Sequence, residues 1–511
     1  MGKNLIKAAG WLLILNGCVK VLGFVREMVI ASGFGASSFT DAYLAAYTIP
    51  YFFQTILGYA FVSAVLPMLS QYWRRDGDNT EACRLGSTLI NIVAAGMLLL
   101  SILGMLASRE LIWLTAPELA GDTAALAAQL TRIIFPSALF MAVGMVISGI
   151  LNSCYRFTAA ALAPGVAALG IILATVFFAD GNIWVVAWGT LIGYVGYFLL
   201  TAVDLPRTGF RYRFVWDLKH PAIRRALSNL LPIVVGLAVT QIYTIINRIF
   251  ASGLEEGSIS VLNYASKLIN LPLGLFVSAI ITAAFPALAE QAQQADGIRL
   301  KTTVSRGLSM ILLVVVPATC GLILLDEPLV RLLFQSGQFG QEETSATVYA
   351  LLTMGPSLIF LAISMMLIRV YHARGDVKTP LYTGLISIAV NVLVSLALLD
   401  TMEQGALGLA NTIAAAVNAL LMWILLEKKV QFSTENGLIR DILVILAATA
   451  VMGLAVGFAS PWVEMAVDKG ALLLRITLLV CGAVLLYGGM LLLMRARALQ
   501  VLLEGLQLKK K

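Results

Sequence analysis

Long stretches of nearly uninterrupted apolar residues dominate the chain, and short polar segments separate them. Fourteen stretches are long enough to cross a bilayer, because a membrane helix needs about 20 mostly apolar residues. They cover roughly residues 9–32, 38–70, 86–108, 124–152, 157–179, 182–203, 226–251, 258–288, 304–325, 345–371, 379–399, 404–426, 440–459 and 470–494. These runs do not alternate as the strands of a membrane β-barrel do. The pattern therefore predicts an all-α polytopic membrane protein with fourteen transmembrane helices.

Composition supports this prediction and excludes most enzyme classes. The 511 residues are 59% hydrophobic and 12% charged, whereas about a quarter of the residues in soluble domains are charged. No connection is long enough for a soluble catalytic domain, and no Walker loop, HExxH motif or Ser/His/Asp set is present. The five cysteines lack metal-ligand or disulfide spacing. We therefore predict no enzyme activity, no cofactor and no metal site.

The charged connections predict the orientation. If connections alternate sides, most of the 35 lysines and arginines lie on the side of the N-terminus. Because positive connections stay in the cytoplasm, both termini are predicted there. The basic charge is thus a topology signal, which indicates contact with anionic lipid headgroups and no nucleic-acid binding. The C-terminal segment 495–511 is amphipathic and basic, so we expect it on the inner membrane face.

An internal repeat divides the chain. Residues 135–153 match residues 355–373 at an offset of 220, and the match pairs Pro136 with Pro356 and Phe140 with Phe360. We therefore predict two six-helix, pseudo-symmetric lobes, 1–205 and 226–427, with a substrate held at their interface. A basic cytoplasmic linker, 206–225, joins them. Helices 13 and 14 and a basic tail fill 428–511.

Charged residues inside the predicted spans need a reason, because each costs about 2.5–3.5 kcal/mol or more to insert. Apart from Asp441 at the start of a span, only Glu27 and Asp41 are acidic. Besides Arg306 and Arg440, which also lie at the start of their spans, the seven basic residues are Lys20, Arg26, Arg132, Arg248, Lys267, Arg369 and Arg475. We expect Arg132, Arg248, Arg369 and Arg475 to snorkel from nearby helix ends. Lys20 and Lys267 lie near mid-depth in opposite lobes, where their ammonium groups are able to face one another across a cleft.

Two interpretations of the first-hairpin charges remain open. Lys20 and Glu27 share a helix face, whereas Arg26 points about 100° away from Glu27. Asp41 begins the next helix at a depth where it can meet Arg26. These residues either form buried pairs that only fix the fold, or they bind a substrate. The half that contains Lys267 has no acidic residue within a predicted span, which favours an anionic substrate.

Polar residues surround Lys267 on the eighth predicted helix, where they either bind substrate or form interhelical hydrogen bonds worth about 0.6 kcal/mol each. The candidate substrate-binding residues are therefore Lys20, Arg26, Glu27, Asp41, Ser260, Asn263, Lys267 and Asn270.

Three segments are similar to those of a known family: LGFVREMVIASGFGASSFTDAYLAAYTIP, NRIFASGLEEGSISVLNYASKLINLPLG and YHARGDVKTP. With these segments the chain resembles the MurJ (MviN) family, the lipid II flippases of the MOP exporter superfamily. The resemblance implies fourteen helices in two MATE-like lobes and a cationic central cavity in the bacterial inner membrane. It implies transport of the undecaprenyl-diphosphate-linked peptidoglycan precursor from the inner to the outer leaflet, and hence a role in cell-wall biogenesis and cell shape. The family's functional residues correspond to Arg26, Glu27, Asp41 and Lys267.

The sequence departs from the family at several positions. Lys20 stands where some members have arginine, and a basic residue common in the second helix is missing near Gln54 or Thr55. Some members carry sodium-site carboxylates on helices 7 and 11. The matching positions here are Asn247, Asn391 and Ser395, none of which is a carboxylate.

Four functions fit these observations to different degrees. The leading hypothesis is a lipid II flippase that works by alternating access. An exporter of another polyprenyl-linked glycan, such as an O-antigen or exopolysaccharide unit, would need the same chemistry. A cation-coupled drug antiporter would need unpaired cavity carboxylates, and the surplus of basic residues argues against it. A structural partner of cell-wall synthesis proteins would not need buried charge in both halves.

Overall fold

Helices occupy the apolar stretches in a computed structural model that describes residues 2–73, 79–292, 297–431, 437–466, 468–494 and 496. Every regular element within these ranges is helical. The predicted amphipathic tail, 495–511, lies outside the described residues except for Ala496.

The helices follow one another with short connections. The first nine are α1 (Gly2–Phe34), α2 (Ser38–Tyr72), α3 (Thr80–Leu106), α4 (Ser108–Thr115), α5 (Gly121–Ile134), α6 (Ser137–Ser153), α7 (Thr158–Phe178), α8 (Ile183–Asp204) and α9 (Pro221–Ser252). The others are α10 (Ser258–Pro272), α11 (Ser278–Ala292), α12 (Gly297–Leu324), α13 (Asp326–Leu333), α14 (Gln341–Met354), α15 (Ser357–Ala373), α16 (Lys378–Met402), α17 (Gln404–Val430), α18 (Leu438–Glu464) and α19 (Lys469–Leu493). A π-helical turn, Leu273–Val277, joins α10 to α11.

Many of these helices are suited to a bilayer. Ten helical spans in the described ranges are long and apolar enough to cross a membrane, or eleven if the bent pair α14 and α15 counts as one. Large apolar side chains are exposed along them: Phe458 is 86% exposed, Leu485 77% and Leu493 79%. Such side chains are stable only against lipid tails or a partner. The chain is therefore a multi-pass membrane protein.

The helices form two compact units. The first unit comprises residues 1–260 together with 336–339, and the second comprises 261–335 together with 340–511. In the first unit the core lies among α2, α3, α6 and α8, around residues such as Leu85, Leu89, Val146 and Ile150. In the second unit α18 and α19 pack against α12, and the Tyr487 hydroxyl donates to the Leu313 carbonyl oxygen at 2.9 Å.

The helix bounds repeat along the chain with the same offset as the sequence repeat. This offset relates both ends of α6 to those of α15, and it relates the start of α7 to the start of α16. A proline precedes both α6 and α15, and α15 is bent by 48° from α14. Proline lacks the N–H that would continue the helix. The short helices α4 and α13, which the hydropathy pattern did not predict, correspond at a slightly smaller offset of 218.

Glycines allow α7 and α8 to pack unusually closely. Gly189 and Gly193 form a GxxxG motif on α8, which lets helix backbones approach in membranes. A Cβ atom added at Gly193 would lie 2.5 Å from the Ala167 carbonyl oxygen. One added at Gly170 would lie 2.5 Å from the Gly193 Cα. This contact fixes α8, which carries part of the candidate site described below.

We predict that Gly193→Leu will destabilise the protein strongly. Overpacking costs typically about 1–3 kcal/mol, and here the obstacle is backbone that cannot rotate away. The matched control is Gly96→Leu on α3, because a Cβ at Gly96 would meet nothing within 4 Å. Thermal unfolding in detergent should show a clear loss for the first variant and little change for the second. Equal unfolding temperatures would contradict the role of this contact.

Candidate functional site

The candidate site lies in the first unit, around the hairpin of α1 and α2. Arg26 and Glu27 form an ion pair on α1 between Arg26 Nη2 and Glu27 Oε1. The Glu27 side chain is 4% exposed and the Arg26 side chain 20%. Of the buried pairs considered above, the structure shows Arg26 with Glu27, whereas Asp41 binds Gly257 and Ser260. Although the two side chains leave α1 in different directions, the long arginine reaches its neighbour's carboxylate.

Tyrosines from two helices surround the Arg26 guanidinium. Tyr43 and Tyr47 come from α2 and Tyr194 from α8, and all three phenols interact electrostatically with Arg26. The hydroxyls of Tyr47 and Tyr194 hydrogen-bond to each other, and Tyr43 is hydrogen-bonded to Thr190 at 2.9 Å. The Tyr43 and Tyr47 rings stack 6.2 Å apart. The phenol groups near the guanidinium are thus hydrogen-bonded to one another and to Thr190.

One donor of Arg26 has no acceptor in the part of the chain that the structure describes. The Nε atom is buried, and within the described residues it makes no hydrogen bond. Burial of a charged donor without an acceptor costs free energy.

Asp41 holds the beginning of α10. Its two carboxylate oxygens accept hydrogen bonds from the backbone N–H groups of Gly257 and Ser260, both at 2.8 Å. The Ser260 hydroxyl donates to the same carboxylate. The first N–H groups of a helix have no partner within the helix, and its N-terminus favours negative charge. Asp41 thus caps α10 from another helix.

Arg248, on α9, completes the cluster. It interacts electrostatically with Asp41 and Glu27, and its Nη1 atom is buried. The prediction that Arg248 snorkels to the membrane surface is therefore wrong. Arg26, Glu27, Asp41 and Arg248 together carry two positive and two negative charges, so this buried cluster is formally neutral. The sequence contained a signal that Arg248 belongs to the candidate site, because Arg248 lies in one of the segments that resemble a known family.

The other predicted site residues are spread over α1 and α10. Lys20 is exposed on α1, two turns before Glu27. Asn263 and Lys267 are half-buried on α10, and Asn270 is exposed and donates to the Ser266 carbonyl oxygen at 2.8 Å. The predicted approach of Lys20 to Lys267 spans the two units and stays a prediction. Ser260 is engaged with Asp41, so it supports the hairpin rather than the surroundings of Lys267.

Two departures from the family resemblance have structural consequences. Gln54, near the position where a basic residue is common, is fully buried and donates from Nε2 to the Ser137 hydroxyl oxygen at 2.9 Å. Asn391 and Ser395 are fully buried on α16, and Asn391 Nδ2 donates to Asn411 Oδ1 at 3.1 Å. Uncharged amide and hydroxyl groups thus occupy these positions.

Two ion pairs lie at equivalent points of the repeat, and the basic and acidic residues are exchanged between them. The offset of the sequence repeat relates Arg156 to Asp376, and each backbone N–H donates at 2.9 Å to the carbonyl oxygen five positions earlier. Arg156 pairs with Asp204 at 2.6 Å, whereas Asp376 pairs with Lys429 at 3.1 Å. Each pair ties the turn between two helices to the end of a third helix. The geometry is repeated while the charges are exchanged.

The Asp376 pair makes a pH prediction. Burial opposes ionisation of Asp376, but hydrogen bonds from the Thr379 N–H and hydroxyl and from Lys429 outweigh it and lower the pKa to about 2. Because the folded-state pKa lies below the unfolded value of about 3.9, the stabilisation is complete above that value and is lost as the pH falls toward 2. The unfolding temperatures of wild type and Asp376→Asn should therefore differ at pH 6 and converge near pH 2. A constant difference across this range would contradict the shift.

Comparison with known proteins places these features in a family. The sequence profile described as "Lipid II flippase MurJ" matches residues 30–478. A protein of Burkholderia cenocepacia named "Lipid II flippase MurJ" is 29% identical over 465 residues, covering 88% of this chain and 89% of that protein. A "Probable lipid II flippase MurJ" of Buchnera aphidicola is 30% identical over 457 residues, with 88% and 89% covered.

Solved structures give the same answer for the fold. A structure titled "Lipid II flippase MurJ, inward closed conformation" has 25% identity and a TM-score of 0.80, covering 96% of this chain and 99% of its own. An inward-facing multidrug resistance MATE family transporter of the MOP superfamily has 17% identity and a TM-score of 0.66, covering 83% and 99%. The second likeness concerns the fold alone. The profile match over most of the sequence, together with these relatives, establishes that the chain belongs to the lipid II flippase MurJ family.

Proposed function

We propose that this protein moves lipid II, the undecaprenyl-diphosphate-linked peptidoglycan precursor, from the inner to the outer leaflet of the cytoplasmic membrane by alternating access. It is a transporter and not an enzyme. Family membership and the names of its relatives support the substrate. The main structural observation in its favour is that the Nε–H donor of Arg26 is buried and has no acceptor among the described residues.

The chemistry of Arg26 suits a diphosphate. Guanidinium groups bind phosphate oxygens through charge-assisted hydrogen bonds, and desolvation strengthens such bonds. Because Glu27 already neutralises Arg26 in the resting protein, a net attraction for a diphosphate must come from further basic groups. We assign that role to Lys20 and Lys267. The neutral polar residues Asn263 and Asn270 are then suited to the uncharged sugars.

Asp41 is proposed to act as a latch at the start of α10. Its carboxylate accepts three hydrogen bonds from Gly257 and Ser260, and hydrogen bonds to charged groups contribute about 1.5–3 kcal/mol each. A movement that separates α2 from the start of α10 has to break them together. The latch therefore favours one arrangement of this end of the molecule until another interaction compensates for its loss.

The proposal includes a finer architecture. Fourteen transmembrane helices form two pseudo-symmetric six-helix lobes, 1–205 and 226–427, which the linker 206–225 connects. Two further helices and a basic tail complete the chain in 428–511. Both termini face the cytoplasm at the bacterial inner membrane. Membrane lipids and cell-wall synthesis proteins are the proposed partners besides lipid II.

A complementation experiment tests the proposed function. The native lipid II flippase of a bacterial host is depleted, and this chain is expressed in its place. Restored growth and cell shape are expected. Two results together would overturn lipid II as the substrate in favour of another polyprenyl-linked glycan. One is failure to grow although the protein reaches the membrane. The other is restored surface glycan in a host that lacks an O-antigen or exopolysaccharide flippase.

Charge at Lys267 should decide activity in the same host. Lys267→Arg keeps the positive charge and should support growth. Lys267→Gln loses the charge and should not support growth at normal expression. Lys469→Gln, which removes an exposed lysine at the start of α19, is the control and should grow normally. Full growth of the Lys267→Gln strain would exclude Lys267 from diphosphate binding.

A further inference from the structure

A second candidate binding site lies in the first unit, away from the charged hairpin. A cavity of about 420 Å³ opens between α3, α6, α8 and the connection that follows α8. This volume lies within the range of about 300–1,000 Å³ that is typical of ligand sites. Its wall includes Ile90, Ala94, Phe140, Val143, Phe198 and Phe210. The proposed transport function does not use this cavity.

The polar groups in the wall are already occupied. Asn91 Oδ1 accepts from the Tyr212 hydroxyl at 2.6 Å, and Asn91 Nδ2 donates to the Val215 carbonyl oxygen at 3.0 Å. The remaining lining residues are Leu139, Ile147, Ala202, Leu205 and Pro206, all apolar. A ligand that enters this space therefore meets mainly carbon, which favours a hydrocarbon over a sugar or water.

An extended segment, residues 209–217, forms the rim of the cavity. Its N–H groups at Arg211, Arg213 and Asp217 donate to Cys83 Sγ, Ser87 Oγ and Thr88 Oγ1 on α3. This anchoring leaves aromatic and basic side chains exposed together. Tyr212 is 52% exposed and Phe214 75% exposed, and Arg211 and Arg213 are exposed beside them.

The alternation of aromatic and basic side chains on this rim matches the boundary between lipid tails and headgroups. Tyrosine and tryptophan are enriched at that boundary, and the segment continues to the exposed Trp216. Arginine binds phosphate oxygens in a fixed, bidentate geometry. An apolar cavity whose rim carries cationic groups is complementary to a molecule with a hydrocarbon chain and an anionic headgroup.

We propose that this cavity binds one acyl chain of an anionic phospholipid, whose phosphate contacts Arg211 and Arg213 on the rim. Phosphatidylglycerol has the required chemistry. The bound lipid would hold the segment 209–217 against α3 and leave the Arg26 cluster unoccupied. The site is independent of the proposed transport function, because its lining and rim share no residue with the candidate substrate site.

Native mass spectrometry of the purified protein in detergent tests this site, with phosphatidylglycerol and phosphatidylcholine as probes. Ala94→Phe fills the cavity and should weaken retention of phosphatidylglycerol about tenfold or more. Ala95→Phe is the control, because Ala95 is the exposed neighbour on α3. Arg211→Gln with Arg213→Gln should reduce the preference for phosphatidylglycerol over phosphatidylcholine. Arg224→Gln with Arg225→Gln, which removes two exposed arginines of α9, should preserve it.

Three results would overturn the proposal. One is unchanged phosphatidylglycerol retention in Ala94→Phe. Another is an unchanged preference after loss of Arg211 and Arg213. The third is stronger displacement of phosphatidylglycerol by a polyprenyl phosphate than by free phosphatidylglycerol, which would assign the cavity to a polyprenyl tail. If Ala94→Phe does not fold, Ala202→Leu, which fills the cavity from α8, should weaken phosphatidylglycerol retention in the same way.

Discussion

Asp41→Asn should abolish complementation and lower the unfolding temperature markedly. An asparagine keeps the shape of the side chain but loses the negative charge, and one of its two terminal atoms becomes a donor that faces N–H groups. Arg248 would also lose a counter-charge. Removing one partner of a buried charge pair costs about 3–5 kcal/mol, which is a large part of the stability of most domains.

Two further variants separate the parts of this effect. Ser260→Ala removes only the hydroxyl that donates to Asp41, so we expect a smaller loss of stability, about 1–2 kcal/mol, and retained growth. Asp122→Asn changes an exposed carboxylate in the first turn of α5 and should behave as wild type. Thermal unfolding and growth are measured for all three variants. Normal growth of Asp41→Asn would contradict the latch.

Neutralising Arg26 and Glu27, singly and together, should separate the effect of this pair on stability from its effect on transport. Arg26→Gln leaves a nearly buried carboxylate without its guanidinium partner, so we expect a loss of about 3 kcal/mol. Glu27→Gln leaves the guanidinium among the tyrosines without its counter-ion and should also destabilise. The double variant has neither charge, and neutral buried groups of similar size are often tolerated well. Its unfolding temperature should return close to wild type.

Growth then shows what Arg26 does. If Arg26 binds the diphosphate, the double variant folds but fails to complement, and Arg26→Lys retains partial activity because it keeps the charge without the fork geometry. If the pair only fixes the fold, the double variant restores growth together with stability. That second outcome would remove Arg26 from the substrate site.

Much of the fold was predictable because the bilayer imposes simple requirements on sequence. Backbone groups in lipid must be paired internally, which makes each long apolar stretch a helix. Helices cover the predicted stretches from α1 to α19, and the offset of the sequence repeat reappears in the bounds of α6 and α15. The short helices α4 and α13 were missed because eight residues are too few to give a membrane-span signal.

The charged cluster shows what the sequence by itself determined and what the tertiary structure decided. Hydropathy alone placed Arg26, Glu27 and Asp41 inside apolar helices, and the cost of burying charge identified them as a candidate site. It did not determine their partners, because helical periodicity gives the direction of a side chain but not the element that faces it. Asp41 binds backbone N–H groups that lie far along the chain, at the start of α10, and backbone donors leave no mark on residue type. Arg248 joined the cluster for the same reason: only the packing of α9 beside α2 places its charge near Asp41.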